Sequence, residues 1–454
     1  MDQTLYLLLV TFFAILLLLV LVIKLKLHAF ISLLLVSAFV GLGAGMSFDE
    51  LLKSIQEGMG SILGYIAIVV GVGSILGKLL EVSGGTETLA GQIVKTFGEK
   101  RSPWALAITG FIIAIPVFLE VGFIILVPII YSLSKKSGLS TLHYAIPLLA
   151  GLAVTHAFIP PTPGPVAVSE ILNVPLGWVI LMGAIAGIPA AIIAGPIFGK
   201  YIAKKIHLTV PDYIDWEEGK QKSGSRGDFA MVLFVIFFPL FLILISTFLE
   251  ASVTAGSISG ELFWVQLLQF IGHPFSALTI ATLIAGYFLG IKKGFTSKEL
   301  LAFSDNALAP AGLVILVTGA GGVFKQILIS SGVGEALAQT LLAYQIIPLV
   351  LAFIIAAVIR ITQGSATVAM ITAAGMMAPV IGELGLSDPH KALIVISIAA
   401  GSTIMSHVND SGFWLVNKYL GMTEKQTLRS WTVMETIIAF TGFGVALLLS
   451  LFFV

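Results

Sequence analysis

The chain has 454 residues, 57% of them hydrophobic, with 24 Lys+Arg balanced by 24 Asp+Glu, 47 glycines and no cysteine. Only 11% of the residues are charged, against about 25% in soluble domains, so too little polar material exists to cover a water-facing surface. That excludes a soluble protein; the lack of cysteine excludes disulfides, thiolate metal sites and cysteine nucleophiles, and the zero net charge gives no basic footprint for nucleic acid. An integral membrane protein remains.

The first apolar run, residues 5–23, is longer than a signal-peptide core, has no basic segment before it and no small-residue cleavage site after it. It reads as a retained first span. About 20 apolar residues cross a bilayer core of ~30 Å. Comparable runs predict spans over residues 4–23, 29–46, 58–82, 143–170, 176–199, 229–249, 275–291, 306–329, 390–416 and 431–453, with 143–170 and 390–416 each interrupted. Stretches 103–131 and 345–380 are cut near the middle, at Glu120 and at residues 360–365, and read as re-entrant hairpins that enter and leave on one side.

The chain also reads as a tandem duplication. Gly71-Val72-Gly73-Ser74 followed by Ser83-Gly84-Gly85-Thr86-Glu87-Thr88-Leu89-Ala90 resembles Gly319-Ala320-Gly321-Gly322 followed by Ser331-Gly332-Val333-Gly334-Glu335-Ala336-Leu337-Ala338, at a constant offset of 248 and with seven of twelve positions identical. At slightly different offsets the Glu120 break falls towards Gln363-Gly364-Ser365, and His156 towards His407. These matches predict a first repeat over residues 1–199, a polar linker over 200–228 holding Pro211-Asp212-Tyr213 and Trp216-Glu217-Glu218-Gly219, and a second repeat over 229–454.

Five crossings and one hairpin per repeat make an odd number, so the second repeat is predicted to sit upside down relative to the first. Under that threading Lys53 and Lys391 face one side, and Lys78, Lys325 and Arg360 fall within or near membrane segments. The rest of the 24 Lys+Arg collect on the other side. The crowded side is then cytoplasmic and both termini extracytoplasmic. The predicted fold class is an all-α integral membrane protein of two inverted-topology repeats, each with five membrane crossings, one re-entrant hairpin and one broken helix. That is the arrangement of a secondary transporter.

Backbone left open at membrane depth must be satisfied by protein, water or a ligand, so matching polar breaks imply a cavity. The first interrupted span carries Thr155-His156-Ala157-Phe158-Ile159-Pro160-Pro161-Thr162-Pro163-Gly164-Pro165, whose prolines cannot continue an α-helix. Its partner, Ser406-His407-Val408-Asn409-Asp410-Ser411-Gly412, offers hydroxyls, an amide and a half-helix N-terminus to a polar or anionic ligand. Glu120 and Asp410, carboxylates at membrane depth, are candidates for proton coupling or substrate contact; the alternatives are a salt bridge and a helix cap. His156 and His407 are candidates for the same role, against histidines satisfied by nearby backbone. Arg360 can grip a substrate carboxylate with two parallel hydrogen bonds, pair internally with Glu120 or Asp410, or snorkel to the outer interface. Gln363, Ser365, Thr367, Asn409 and Ser411 suit a polyhydroxylated ligand, or merely solvate a re-entrant turn. Lys78 and Lys325 read as snorkelling or pairing with Glu81 and other carboxylates.

At these residues the sequence resembles the gluconate permease family, proton-coupled sugar-acid symporters of the ion-transporter superfamily. The resemblance covers nearly the whole chain. It rests on Phe118-Leu119-Glu120-Val121-Gly122, on the segment from Thr155 to Pro165, on the Gly364-Ser365-Ala366-Thr367 tip and on His407-Val408-Asn409-Asp410-Ser411. It implies import of gluconate or a related sugar acid across a bacterial-type inner membrane, by a homodimer whose hairpins and broken helices move as an elevator. It further implies substrate contacts at the motif positions Gly122, Thr155, Pro161, Thr162, Gly164 and Gly364, beside the polar residues above, and no cofactor other than the coupling proton.

Three competing readings remain on the residues themselves. Gly73-Ser74-Ile75-Leu76-Gly77-Lys78 lacks the spacing of a phosphate-binding loop and lies inside an apolar span, which argues against a primary pump. Ser406, His407 and Asp410 are the residue types of a hydrolase relay, though placed on one short segment. Sodium is the alternative coupling ion, since hydroxyls and carbonyls at the Gly364-Ser365-Ala366-Thr367 tip are oxygen ligands of the kind it takes.

Overall fold

The computed structural model describes residues 3–211, 226–344 and 346–453, and no strand occurs among them. Among the described residues eight helices are long and apolar enough to cross a membrane: Phe48–Val82, Leu142–Ile171 with its internal break, Leu176–Lys205, Asp228–Thr254, Pro274–Lys293, Ser297–Ser330, Ala366–Glu383 and Glu424–Ser450. Gln3–Leu19 and Ala29–Gly43 are shorter apolar helices at the first two expected spans, and the first runs on through a π-helical turn, Val20–Lys24. The interrupted span expected over 390–416 is Asp388–Thr403 followed by Ser411–Tyr419.

Two of the long helices start well before their apolar stretches. Ser47 caps Phe48–Val82 and Thr296 caps Ser297–Ser330, each through a reciprocal box with the glutamate three residues on, Glu50 and Glu299. Hydropathy marks where a helix meets lipid, whereas the cap marks where its first free amides need an acceptor. The two helices cross tightly. A Cβ on Gly58 would stand 2.7 Å from the Gly322 carbonyl oxygen, and one on Gly322 would stand 2.5 Å from that of Gly58.

Each hairpin is a pair of helices joined by a short turn. Ser102–Ile113 and Leu119–Ser137 are separated by residues 114–118; Pro348–Gln363 and Ala366–Glu383 are separated by Gly364 and Ser365 alone. The first hairpin therefore turns just ahead of Glu120, which lies in the first turn of the second arm, because Pro116 and the residues around it end the first arm early. The arm Pro348–Gln363 is 16 residues long, about 24 Å at 1.5 Å per residue, and so ends short of the far side of a ~30 Å bilayer core.

Elements recur in the same order in both halves: 48–82 with 297–330, 85–97 with 333–343, the two hairpins, the two broken helices, and 176–205 with 424–450. A histidine cap recurs too. His28 Nδ1 accepts from the Phe30 amide (3.2 Å) and His273 Nδ1 from the Phe275 amide (3.4 Å). Helices 85–97 and 333–343 are too short and polar to register as spans, and among the described residues Phe263–Gly272 has no counterpart in the first half. Within the expected linker, helix Phe198–Lys205 runs on from the preceding span and Arg226 opens the next. Residues 212–225, which include Trp216-Glu217-Glu218-Gly219, lie outside the described residues.

Leu142–Ile171 is the most enclosed span, with 89% of its most apolar window buried, against 33% for Asp228–Thr254. The first hairpin packs along Leu142–Phe158, the second along Asp388–Thr403, and the second arm of the second hairpin also lies against Pro163–Ile171. Hairpins and broken helices thus form the interior, the only place where interrupted backbone can avoid lipid.

Candidate functional site

The polar centre is built around Asp410. It caps helix Ser411–Tyr419, its Oδ1 accepting from the Gly412 amide at 3.1 Å. Its Oδ2 accepts from Arg360 Nη2 at 2.5 Å and from Ser406 Oγ at 2.5 Å. The Arg360 and Asp410 side chains are only 4% and 14% exposed. Arg360 also donates through Nη1 to the Gly364 carbonyl at the hairpin tip, while its buried Nε has no partner among the described residues. Of the alternatives open for Arg360, the structure shows the internal pair with Asp410. Removing either member would leave the other charge buried and uncompensated.

Further contacts seal the break against the tip and the last helix. His407 Nε2 and Asn409 Nδ2 both meet the Ile361 carbonyl, at 2.8 and 3.0 Å. Trp431 Nε1 donates to Ser406 Oγ at 2.6 Å, and Thr432 Oγ1 donates to the Ser406 carbonyl. Gly364 has φ +88°, and a Cβ there would lie 2.2 Å from the Asn409 carbonyl oxygen. Only glycine allows both that dihedral and that approach.

These elements enclose a cavity of about 310 Å³. Of the residues predicted for the site, Glu120, His156, Arg360, Gln363, Gly364, Ser365, Thr367, Asn409, Asp410 and Ser411 line it. Three helix N-termini open onto it, those of Leu119–Ser137, Ala366–Glu383 and Ser411–Tyr419, and each brings a partial positive charge; the first has no side-chain cap, while Ser365 and Asp410 each cap one amide of the other two. His156 Nδ1 and Gln363 Oε1 are buried without a hydrogen-bond partner among the described residues. Such groups favour a polar occupant.

The other predicted residues lie outside the cavity lining. His407 is held on Ile361 as described. Thr162 Oγ1 donates to the Ile159 carbonyl at 2.7 Å, and Thr155 Oγ1 is buried with no partner among the described residues. Pro161 lies against Gly73 of the long helix, and Gly164 admits Met370, whose sulfur would stand 2.7 Å from a Cβ at that position. Gly122 is packed on Leu152. Lys78 pairs with Glu81 at 2.6 Å, as its spacing suggests. Ser406 Oγ bonds to Asp410 and Trp431 while His407 faces Ile361, so no nucleophile-to-base contact exists for a hydrolase relay.

Sequence reasoning missed Trp431, Thr403 and above all Glu435, which is 3% exposed and lines the same cavity from the last helix. A signal was present: Glu435 is an ionisable residue inside an apolar span, a position that is rarely occupied without a role.

The sequence matches that of the GntP family permeases over residues 6–452. The chain belongs to this family. It is therefore a multi-pass membrane transporter and not an enzyme. Among GntP family relatives it is 40% identical over 439 residues to the low-affinity gluconate transporter of Escherichia coli strain K12, covering 97% of each chain. It is 40% identical over 433 residues to the gluconate permease of Bacillus subtilis strain 168, covering 94% of this chain and 95% of that one. The Gnt-II system L-idonate transporter of E. coli K12 is 38% identical over 424 residues, covering 92% of this chain and 93% of its own. The fold is shared with the YdaH transporter of Alcanivorax borkumensis, with TM-score 0.62, 16% identity and 89% of each chain covered. It is also shared with MtrF of Neisseria gonorrhoeae, with TM-score 0.64, 14% identity, and 87% of this chain and 83% of that one covered.

Proposed function

We propose that this permease imports gluconate or a closely related sugar acid by proton symport, working as a homodimer in the plasma membrane through elevator-type alternating access. The observation that carries the reading is the convergence of three helix N-termini and Arg360 on one cavity whose other polar groups are three carboxyls, amides, hydroxyls and a histidine. A carboxylate head is favoured by the amide ends and the guanidinium; a chain of hydroxyls finds acceptors and donors at Glu120, His156, Gln363, Ser365, Thr367 and Asn409. The named relatives that carry gluconate and L-idonate support this substrate class.

Proton coupling is supported by the charge of the lining. Three carboxyl groups, of Glu120, Asp410 and Glu435, share the cavity with one guanidinium. A further anion is accepted there only when protons reduce the negative charge. The recurring order of elements supports division into an inverted pair, residues 1–199 and 229–454, joined by the 200–228 segment. The concentration of Lys and Arg on one side of that threading supports both termini facing out.

The test is uptake of labelled gluconate into proteoliposomes under an inward proton gradient, an inward sodium gradient, or neither. Accumulation under the proton gradient alone is expected. Accumulation under sodium alone would replace the coupling mechanism, and absence of both uptake and counterflow from folded protein would overturn the substrate class.

A further inference from the structure

Three carboxyl groups line the cavity, and their surroundings differ. Asp410 is held by Arg360, Ser406 and the Gly412 amide, and releasing it would strand a buried guanidinium. Glu120 is half-buried, in the first helical turn after the bend of the first hairpin, and lines the cavity from there. Glu435 is 3% exposed, on the last helix, and makes no hydrogen bond or ion pair among the described residues. The charged and titratable groups that face it are Arg360 from the second hairpin, Asp410 from the break, and Glu120 and His156 across the cavity. Arg360 is already engaged by Asp410, and the described residues that line the cavity include no other guanidinium or ammonium group to balance an ionised Glu435. A substrate anion arriving beside that carboxylate adds a second negative charge with no cation to balance it, and this favours uptake of a proton together with the anion.

We propose that Glu435 is the carboxyl group that carries the co-transported proton, while the Arg360–Asp410 pair stays charged throughout and holds the tip to the break. The inference rests on the proton-symport reading above. One proton binds to the Glu435 carboxylate as one substrate anion binds beside it, and both leave to the cytoplasm. The net charge of the site is therefore the same loaded and empty, and proton and substrate affinities are linked reciprocally.

The experiment measures the steady-state accumulation ratio of gluconate in proteoliposomes of wild type, E435Q and E435D under an inward pH gradient. This ratio reports coupling independently of turnover. One proton per monoanion gives about tenfold accumulation per pH unit in wild type. E435Q is expected to equalise gluconate across the membrane without concentrating it, and E435D to concentrate it with an altered pH profile. A wild-type ratio in E435Q overturns the role of Glu435 while leaving proton symport intact. Loss of all flux in both variants also overturns it, because aspartate keeps the proton site. Wild-type accumulation under a sodium gradient alone would instead defeat the symport reading beneath it.

Discussion

At residues 159–162 the chain leaves its helix because Pro160, Pro161 and Pro163 withhold amide donors, and the segment is buried against Gly73 and Met370. At residues 404–410 no proline is present. There the helix stops where Ser406, His407, Asn409 and Asp410 exchange backbone bonds for bonds to Arg360, Ile361, Trp431 and Thr432. The same architectural feature is thus maintained once by stereochemistry and once by electrostatics. A break set by proline is indifferent to charge, whereas a break set by an ion pair keeps charged and polar groups beside a cavity in which a ligand can meet them. Of the two breaks, the second gathers the larger set of polar side-chain bonds.

The largest effect should follow from Arg360→Met. Leaving Asp410 buried without its partner should lower stability by about 3 kcal/mol and abolish gluconate counterflow, read from thermal unfolding in detergent and from proteoliposomes. If R360M kept wild-type unfolding behaviour, the second break would not depend on the pair. The double variant R360M/D410L should regain much of that stability without regaining transport, which sharpens the same point.

Gly364→Ala comes next. The positive φ and the approach of the Asn409 carbonyl together should cost about 2 kcal/mol, seen as a lower unfolding midpoint and weaker gluconate binding. Ser406→Ala removes a hydroxyl that links Asp410 to Trp431 and should cost about 1 to 2 kcal/mol. A double-mutant cycle with W431F should give a non-zero coupling energy; additivity would mean that the two side chains act separately. The smallest effect is expected at the proline break, where Thr162→Ala loses one local bond to Ile159 and should cost about 0.5 to 1 kcal/mol. A T162A loss as large as that of R360M would erase the contrast between the two breaks.

Much of the fold was legible because hydropathy and composition report directly on lipid contact. The ten expected crossings and both hairpins all have helical counterparts, and the errors lie at ends. Helices 48–82 and 297–330 begin earlier than their apolar stretches because Ser47 and Thr296 satisfy the first amides outside the apolar region. The turn of the first hairpin precedes Glu120 because Pro116 acts before the charge does. In the site, the polar residues at tips and breaks were visible as exceptions within apolar runs. Glu435 was passed over because a single carboxylate barely lowers the mean hydropathy of a long span.

The sequence alone determined that this chain lives in a membrane and where its helices are interrupted, since these follow from local composition. It left open whether Arg360 meets a substrate, Glu120 or Asp410, because all three contacts suit a guanidinium and the residues lie far apart along the chain. Tertiary structure decided for Asp410 at 2.5 Å, turned His407 towards Ile361 and away from Ser406, and brought Glu435 to the cavity. Those outcomes depend on how hairpin, break and last helix pack around one another, where distance and burial select among pairings that charge alone permits.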